Sequence, residues 1–167
     1  QVHWGRRLVA AQTEALTAGI APYVHVRHAL YTRAVDRMRG VERKRVKSQQ
    51  DLGETHACFL KDSMKMADFA LYRGRKLDTK PENTFTFLIP AALAADEVDE
   101  LQLQVLSKEH YGHDSFVGVA ILDLNQLRDL AADQAQKTKH EWSLWVKHAG
   151  RRQGSIDFET RLRPVTA

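Results

Sequence analysis

The stretch "LQVLSKEHYGHDSFVGVAILDL" (residues 103–124) carries the strongest fold signal in the chain. Together with the two residues before it, Leu101, Leu103 and Val105 alternate with Gln102 and Gln104. That period of two predicts a strand over 101–107 with one buried face. The chain then enters a polar loop holding Glu109, His110, His113 and Asp114. It leaves through Phe116-Val117-Gly118 into a second strand-like run, 115–124. A polar loop between two strands at the end of a sheet is a frame in which carboxylates can gather round a metal.

Similar patterns recur on either side. "YVHVRHALY" (23–31) sets Val24 and Val26 against Tyr23, His25 and Arg27, a half-buried strand. Residues 6–13, 83–90, 141–148 and 154–164 also have strand character, with Pro90, Gly150 and Gly154 as punctuation. Leu124, Leu127 and Leu130 fall at helical spacing and predict one short amphipathic helix. Residues 32–50 differ: Val35, Met38 and Val46 are widely spaced among cations, which predicts a polar helix or a mobile loop. Residues 56–72 are more apolar and predict a short helix running into a strand. About seven or eight short strands with turn signals between them predict an all-β, antiparallel sandwich.

The chain has 167 residues, 43% hydrophobic and 28% charged, which fits one globular domain over 1–167. No window approaches the roughly 18 apolar residues of a membrane span. No signal-peptide pattern and no initiator Met opens the chain, so it is expected to be a domain of a longer protein. Cys58 is the only cysteine, which excludes a disulfide framework and fits a cytoplasmic setting. Residues 1–50 hold ten Lys/Arg against three Asp/Glu, whereas residues 90–133 hold two against nine. That asymmetry predicts a surface with a basic and an acidic face.

Three blocks resemble the C2 domain family. "GIAPYVHVR" is similar to the family's loop-then-strand block built round Asp-Pro-Tyr-Val. "LDTKPENTFTFLIP" is similar to its Leu-Asn-Pro block, with Leu77, Phe85 and Phe87 at the family spacing and Pro81 displaced. Residues 101–124 are similar to its strand, acidic loop and Asp-Phe-Ile-Gly block, and "WSLWV" and "GSIDFETRLRP" to its closing strands. The resemblance covers about three quarters of the chain and leaves 33–68 as a basic, partly helical insertion. It implies an eight-stranded antiparallel sandwich used for peripheral membrane and protein binding.

Calcium takes about six to eight oxygen ligands, mostly carboxylates. The calcium-binding members supply aspartates from two loops at one end. Here the first-loop aspartate position is Ala21, and the later-loop positions fall on Ser107, Glu109 and Ser115. Asp114 is one position out of register and is expected to point away if the backbone is extended. The expectation is that no metal is bound in this geometry. His110 and His113 lack a third soft ligand nearby and are expected to be solvated.

Other chemistry has little support. Cys58 with His56 is a geometrically allowed pair in a strand, against the plainer reading of a small buried side chain. No phosphate-binding glycine loop occurs. Neither an enzyme activity nor a cofactor is expected.

The cations point to binding. Arg43, Lys44, Arg45 and Lys47 form one cluster and Arg73, Arg75 and Lys76 a second. The resemblance implies a cationic strand face, whose equivalents are Tyr23, His25, Arg27 and Arg73. Nucleic acid is disfavoured because no aromatic residues interleave with these cations. The expected function is a calcium-independent, non-catalytic binding module, docking a protein partner or scaffold near a membrane or cytoskeleton. Direct recruitment by phosphoinositide or other anionic phospholipid, and a domain accompanying an enzyme elsewhere in the parent chain, are the alternatives. Trp142 and Trp145 lie three apart, so one is expected in the core and the other exposed.

Overall fold

A computed structural model describes residues 2–6, 21–36, 38–55, 69–70, 84–108, 112–133 and 139–163. Its strands are β1 (Val2–Arg6), β2 (Pro22–Asp36), β3 (Val41–Glu54), β4 (Phe69–Ala70), β5 (Glu97–Ser107), β6 (Ser115–Asp123), β7 (Lys139–His148) and β8 (Arg151–Arg161). One helix, α1 (Leu124–Asp133), follows β6 directly. All pairings among the described residues are antiparallel, in the order β3-β2-β5-β6-β7-β8-β1-β4. The all-β class and the short helix after β6 are as the sequence predicts.

The order is uneven. β2, β3, β5 and β6 pair over long registers, as do β7 and β8. Between them β6 and β7 share one pair, Val119↔Lys147. Yet one buried cluster spans both halves: Val24 of β2, Leu103 of β5 and Leu122 of β6 with Val146 of β7 and Ile156 of β8. Gly118 sits at the junction. A Cβ there would lie 2.8 Å from the Lys147 carbonyl oxygen and 2.8 Å from Val146 Cγ1, so only glycine lets the two backbones approach. A bulge between Val105↔Gly118 and Leu106↔Phe116 leaves Val117 unopposed beside it.

Three expectations are corrected. Residues 41–54 are neither helix nor mobile loop but the strand β3, which returns along β2 from Asp36↔Val41 to His25↔Glu54. The part of the expected insertion from 56 to 68 lies outside the described residues. Beyond Thr32↔Glu97 the hairpin has no third strand among the described residues; its side chains there are mostly exposed and no period-two hydrophobic pattern marks it. Residues 84–90 join no ladder: Phe85, Phe87 and Ile89 pack against the core, but the backbone is not in a strand. Residues 91–100, whose acidic sequence predicts a surface connection, divide: 97–100 open the strand β5, with Val98, Asp99 and Glu100 buried.

β3 is an edge strand. Its register against β2 shifts twice, leaving Leu52 and Lys47 as extra residues on β3. The helix α1 starts where Asp123 Oδ1 accepts the Asn125 N–H at 2.9 Å, a side-chain cap. Leu124 and Leu127 enter the core, and Arg128 reaches back to β5. Arg128 donates to the Pro90 carbonyl at 2.9 Å, to Asn125 Oδ1 at 2.9 Å and to the fully buried Asp99. His28 of β2 contacts the other Asp99 oxygen at 2.5 Å, and Phe87 lies on its ring.

Candidate functional site

Two places gather the residues singled out by the sequence. The first is the loop end, where β2 begins and β5 passes to β6. Ala21 and Ser107 are both buried and joined: the Ala21 N–H donates to Ser107 Oγ at 3.1 Å, and the Lys108 N–H to the Ala21 carbonyl at 2.9 Å. Ser115 pairs with Ser107 across the ladder. Glu109 and His110 lie outside the described residues.

Asp114 is committed to neighbours. It accepts the Tyr23 hydroxyl at 2.7 Å and the Lys108 ammonium at 3.1 Å. Lys108 also sits 5.9 Å above the Tyr23 ring. Burial, and then the hydrogen bond to Asp114, push the Tyr23 phenol well above its ordinary range. At the end where the resemblance implies a cation among aspartates, the chain therefore supplies its own cation, Lys108, to its own carboxylate. Among the described residues no three His, Cys, Asp or Glu side chains gather as a metal site.

The Tyr23–Asp114 bond makes a prediction. Tyr23→Phe keeps the ring and removes one hydrogen bond to a charged group, so it should lower unfolding free energy by about 1.5 kcal/mol. Urea unfolding monitored by tryptophan fluorescence measures this. A midpoint equal to the parent's would mean that the bond does not hold the loop.

The second place is the strand face of β3, β2 and β5. His25, Arg27 and Tyr31 alternate along β2 on this face, with Lys44 of β3 opposite Arg33. The face carries its own counter-charges. Lys44 pairs with Glu100 and lies 5.8 Å from the Tyr31 ring, while Gln102 donates to the Tyr31 hydroxyl at 2.8 Å. His25 pairs with Asp51, and Arg27 Nε lies 3.9 Å from the same carboxylate. Toward the far side of β2, Lys47 pairs with Glu97, whose carboxyl is held below its usual range by Lys47 and then by the Ala94 N–H. The predicted separation into basic and acidic faces is thus corrected. The basic segment on β3 and the acidic start of β5 flank β2 and neutralise one another across it.

The run 42–47 is also divided. Lys44 shares a face with Arg33 and Tyr31, whereas Arg43 and Arg45 stand opposite Ala34 and Thr32 on the reverse face. Neither Arg43 nor Arg45 has a carboxylate partner among the described residues. Arg73, Arg75 and Lys76 lie outside the described residues, as do His56 and Cys58.

No protein-family model matches this chain, and no curated protein does. What the two places do is read from their own chemistry. Trp142 packs on the core and donates to Thr160 Oγ1 at 2.9 Å, whereas Trp145 is 50% exposed under Arg152. His113 is exposed. Among the described residues no helix is long and apolar enough to cross a membrane. Sequence reasoning missed Lys108 and the acidic partners Asp51, Glu97 and Glu100. The acidic run at 96–100 was visible, but its pairing with β3 depends on register.

Proposed function

We propose that this chain is a calcium-independent, non-catalytic binding module of the C2 type, which docks its parent protein on a protein partner or scaffold near a membrane. Support for the sandwich comes from the narrow β6–β7 junction together with a core shared by both halves of the strand order. Of the blocks that resemble the family, the first falls at the start of β2, the third on β5 to β6 and the closing pair on β7 and β8, whereas the described part of the second, 84–90, joins no ladder. The observation that carries calcium independence is the ion pair of Lys108 with Asp114 at the loop end.

Titration calorimetry tests it. Micromolar calcium added to the chain should give no stoichiometric heat, and the thermal midpoint should not move. A one-to-one binding heat would overturn the reading, because one carboxylate already bearing an ammonium cannot contribute the oxygen shell that calcium needs. Lipid recruitment through the His25, Arg27 and Lys44 face gains less support, since carboxylates of β3 and β5 already offset those cations.

A further inference from the structure

The β2–β3 hairpin runs past the start of β5. From Arg33↔Lys44 to Asp36↔Val41 it is a two-stranded arm, and such a ribbon has no hydrophobic face to stabilise it. Its turn is closed by Asp36. The Asp36 carbonyl accepts the N–H groups of Arg39 at 3.1 Å and Gly40 at 2.8 Å, and Asp36 Oδ1 accepts that of Met38 at 3.1 Å. Gly40 takes the left-handed φ of 61° that completes the reversal. This geometry holds Met38 outward, 98% exposed.

Val35 and Val41 stand beside it, 65% and 49% exposed. Val35 shares a face with Glu42 and Val41 shares the other with Asp36, so the apex is apolar on both sides. Cations follow. Residues 33–47 hold seven Lys/Arg against two Asp/Glu. Arg33 and Lys44 are paired, but Arg39, Arg43 and Arg45 have no carboxylate partner among the described residues. A hydrophobic apex on a cationic stem, carried clear of the body, is unlike a strand meant to be covered by its own fold.

We propose that this arm is a membrane-contact element. Met38, Val35 and Val41 enter the interfacial layer of an anionic bilayer end-on, and Arg39, Arg43 and Arg45 hold headgroup phosphates. The spacing fits. At about 3.3 Å per residue, Arg43 and Arg45 lie roughly 7–13 Å behind Val41 along β3. That compares with the ~5–10 Å by which interfacial segments sink below the headgroups. A protein groove would need acidic walls over an apolar floor; an anionic bilayer presents that layering everywhere. The proposal goes beyond docking on a protein partner: it adds a second contact, with the bilayer itself, and names the element that makes it.

Sedimentation with vesicles tests it, using the 167-residue chain in EDTA. Phosphatidylcholine vesicles should leave the chain in the supernatant. Vesicles containing phosphatidylserine should carry it down, less so as salt rises. Met38→Asp should weaken partitioning at least about tenfold, from the lost burial of one methionine. The double change Arg43→Gln and Arg45→Gln should weaken it about thirtyfold at low salt, at about one headgroup attraction per cation. Both variants alter exposed positions, so their thermal midpoints should match the parent's. Failure to sediment with anionic vesicles both in EDTA and with added calcium overturns the proposal and leaves the apex to a protein partner. So does sedimentation that Met38→Asp leaves unchanged. Sedimentation that requires added calcium yet is lost in Met38→Asp keeps the arm and overturns calcium independence instead.

Discussion

Asp99→Ala should lower the unfolding free energy by about 3–5 kcal/mol, the cost of removing one partner from a buried charge cluster. Asp99 is fully buried, and its two oxygens are taken by His28 and Arg128. Arg128 stays charged at any pH at which the chain folds. With alanine at 99, its half-buried guanidinium keeps only the Pro90 carbonyl and the Asn125 side chain. α1 would then lose its anchor on β5. The pH dependence has a definite sign. Burial alone raises the Asp99 pKa, but hydrogen bonds from His28 and Arg128 reverse this and hold it below the ordinary range. A lowered folded-state pKa gives stability that is present above the unfolded value near 4 and is lost as pH falls through the folded value. Urea unfolding should therefore show a gap between parent and variant at pH 7 that narrows below about pH 4. Asp99→Asn, which keeps the volume, guards against a variant that fails to fold. A gap under about 1 kcal/mol in both variants would show that the cluster does not hold the helix.

Gly118→Val should cost about 3 kcal/mol and Gly118→Ala somewhat less, at the upper end of what overpacking costs. The reason is a distance rather than a lost contact. A Cβ at this position meets the Lys147 carbonyl oxygen and Val146 Cγ1, each at 2.8 Å. The carbonyl belongs to the backbone that makes the one β6–β7 pair, so it cannot step aside without opening that pair. Val146 is itself fully buried and has little room to rotate. Guanidinium unfolding of the three proteins measures the effect. Equal midpoints would mean that the junction widens freely.

The strands that the sequence revealed are those with one wet and one dry face. β5 and β6 alternate because Leu103, Val105 and Leu122 enter the core while Gln102, Gln104 and Ile121 do not. β3 gave no such signal, since every residue from Val41 to Asp51 is exposed and nothing in its pattern separates two faces. Residues 84–90 show the converse. Phe85, Phe87 and Ile89 alternate inward as a strand would, yet alternation reports burial of side chains and not pairing of the backbone. At the loop end, the positions of Ala21, Ser107 and Ser115 were legible through the resemblance. The role of Lys108 was not, because a lysine beside a serine carries no mark of the carboxylate it will meet. The strand face failed for a related reason. Lys44 and Glu100 lie 56 residues apart, and only the register of β3 against β2 and β2 against β5 brings them together.

The outer border of β3 has a further consequence. Fourteen residues of edge strand offer a row of backbone donors and acceptors to any passing copy of the same chain. The extra residues Lys47 and Leu52 break that row at two points, and a second copy laid parallel and in register would bring Arg43, Lys44 and Arg45 against an identical set. Like charges facing across a new strand pair repel. The irregularities and the cations on this border therefore oppose sideways growth from one molecule to the next.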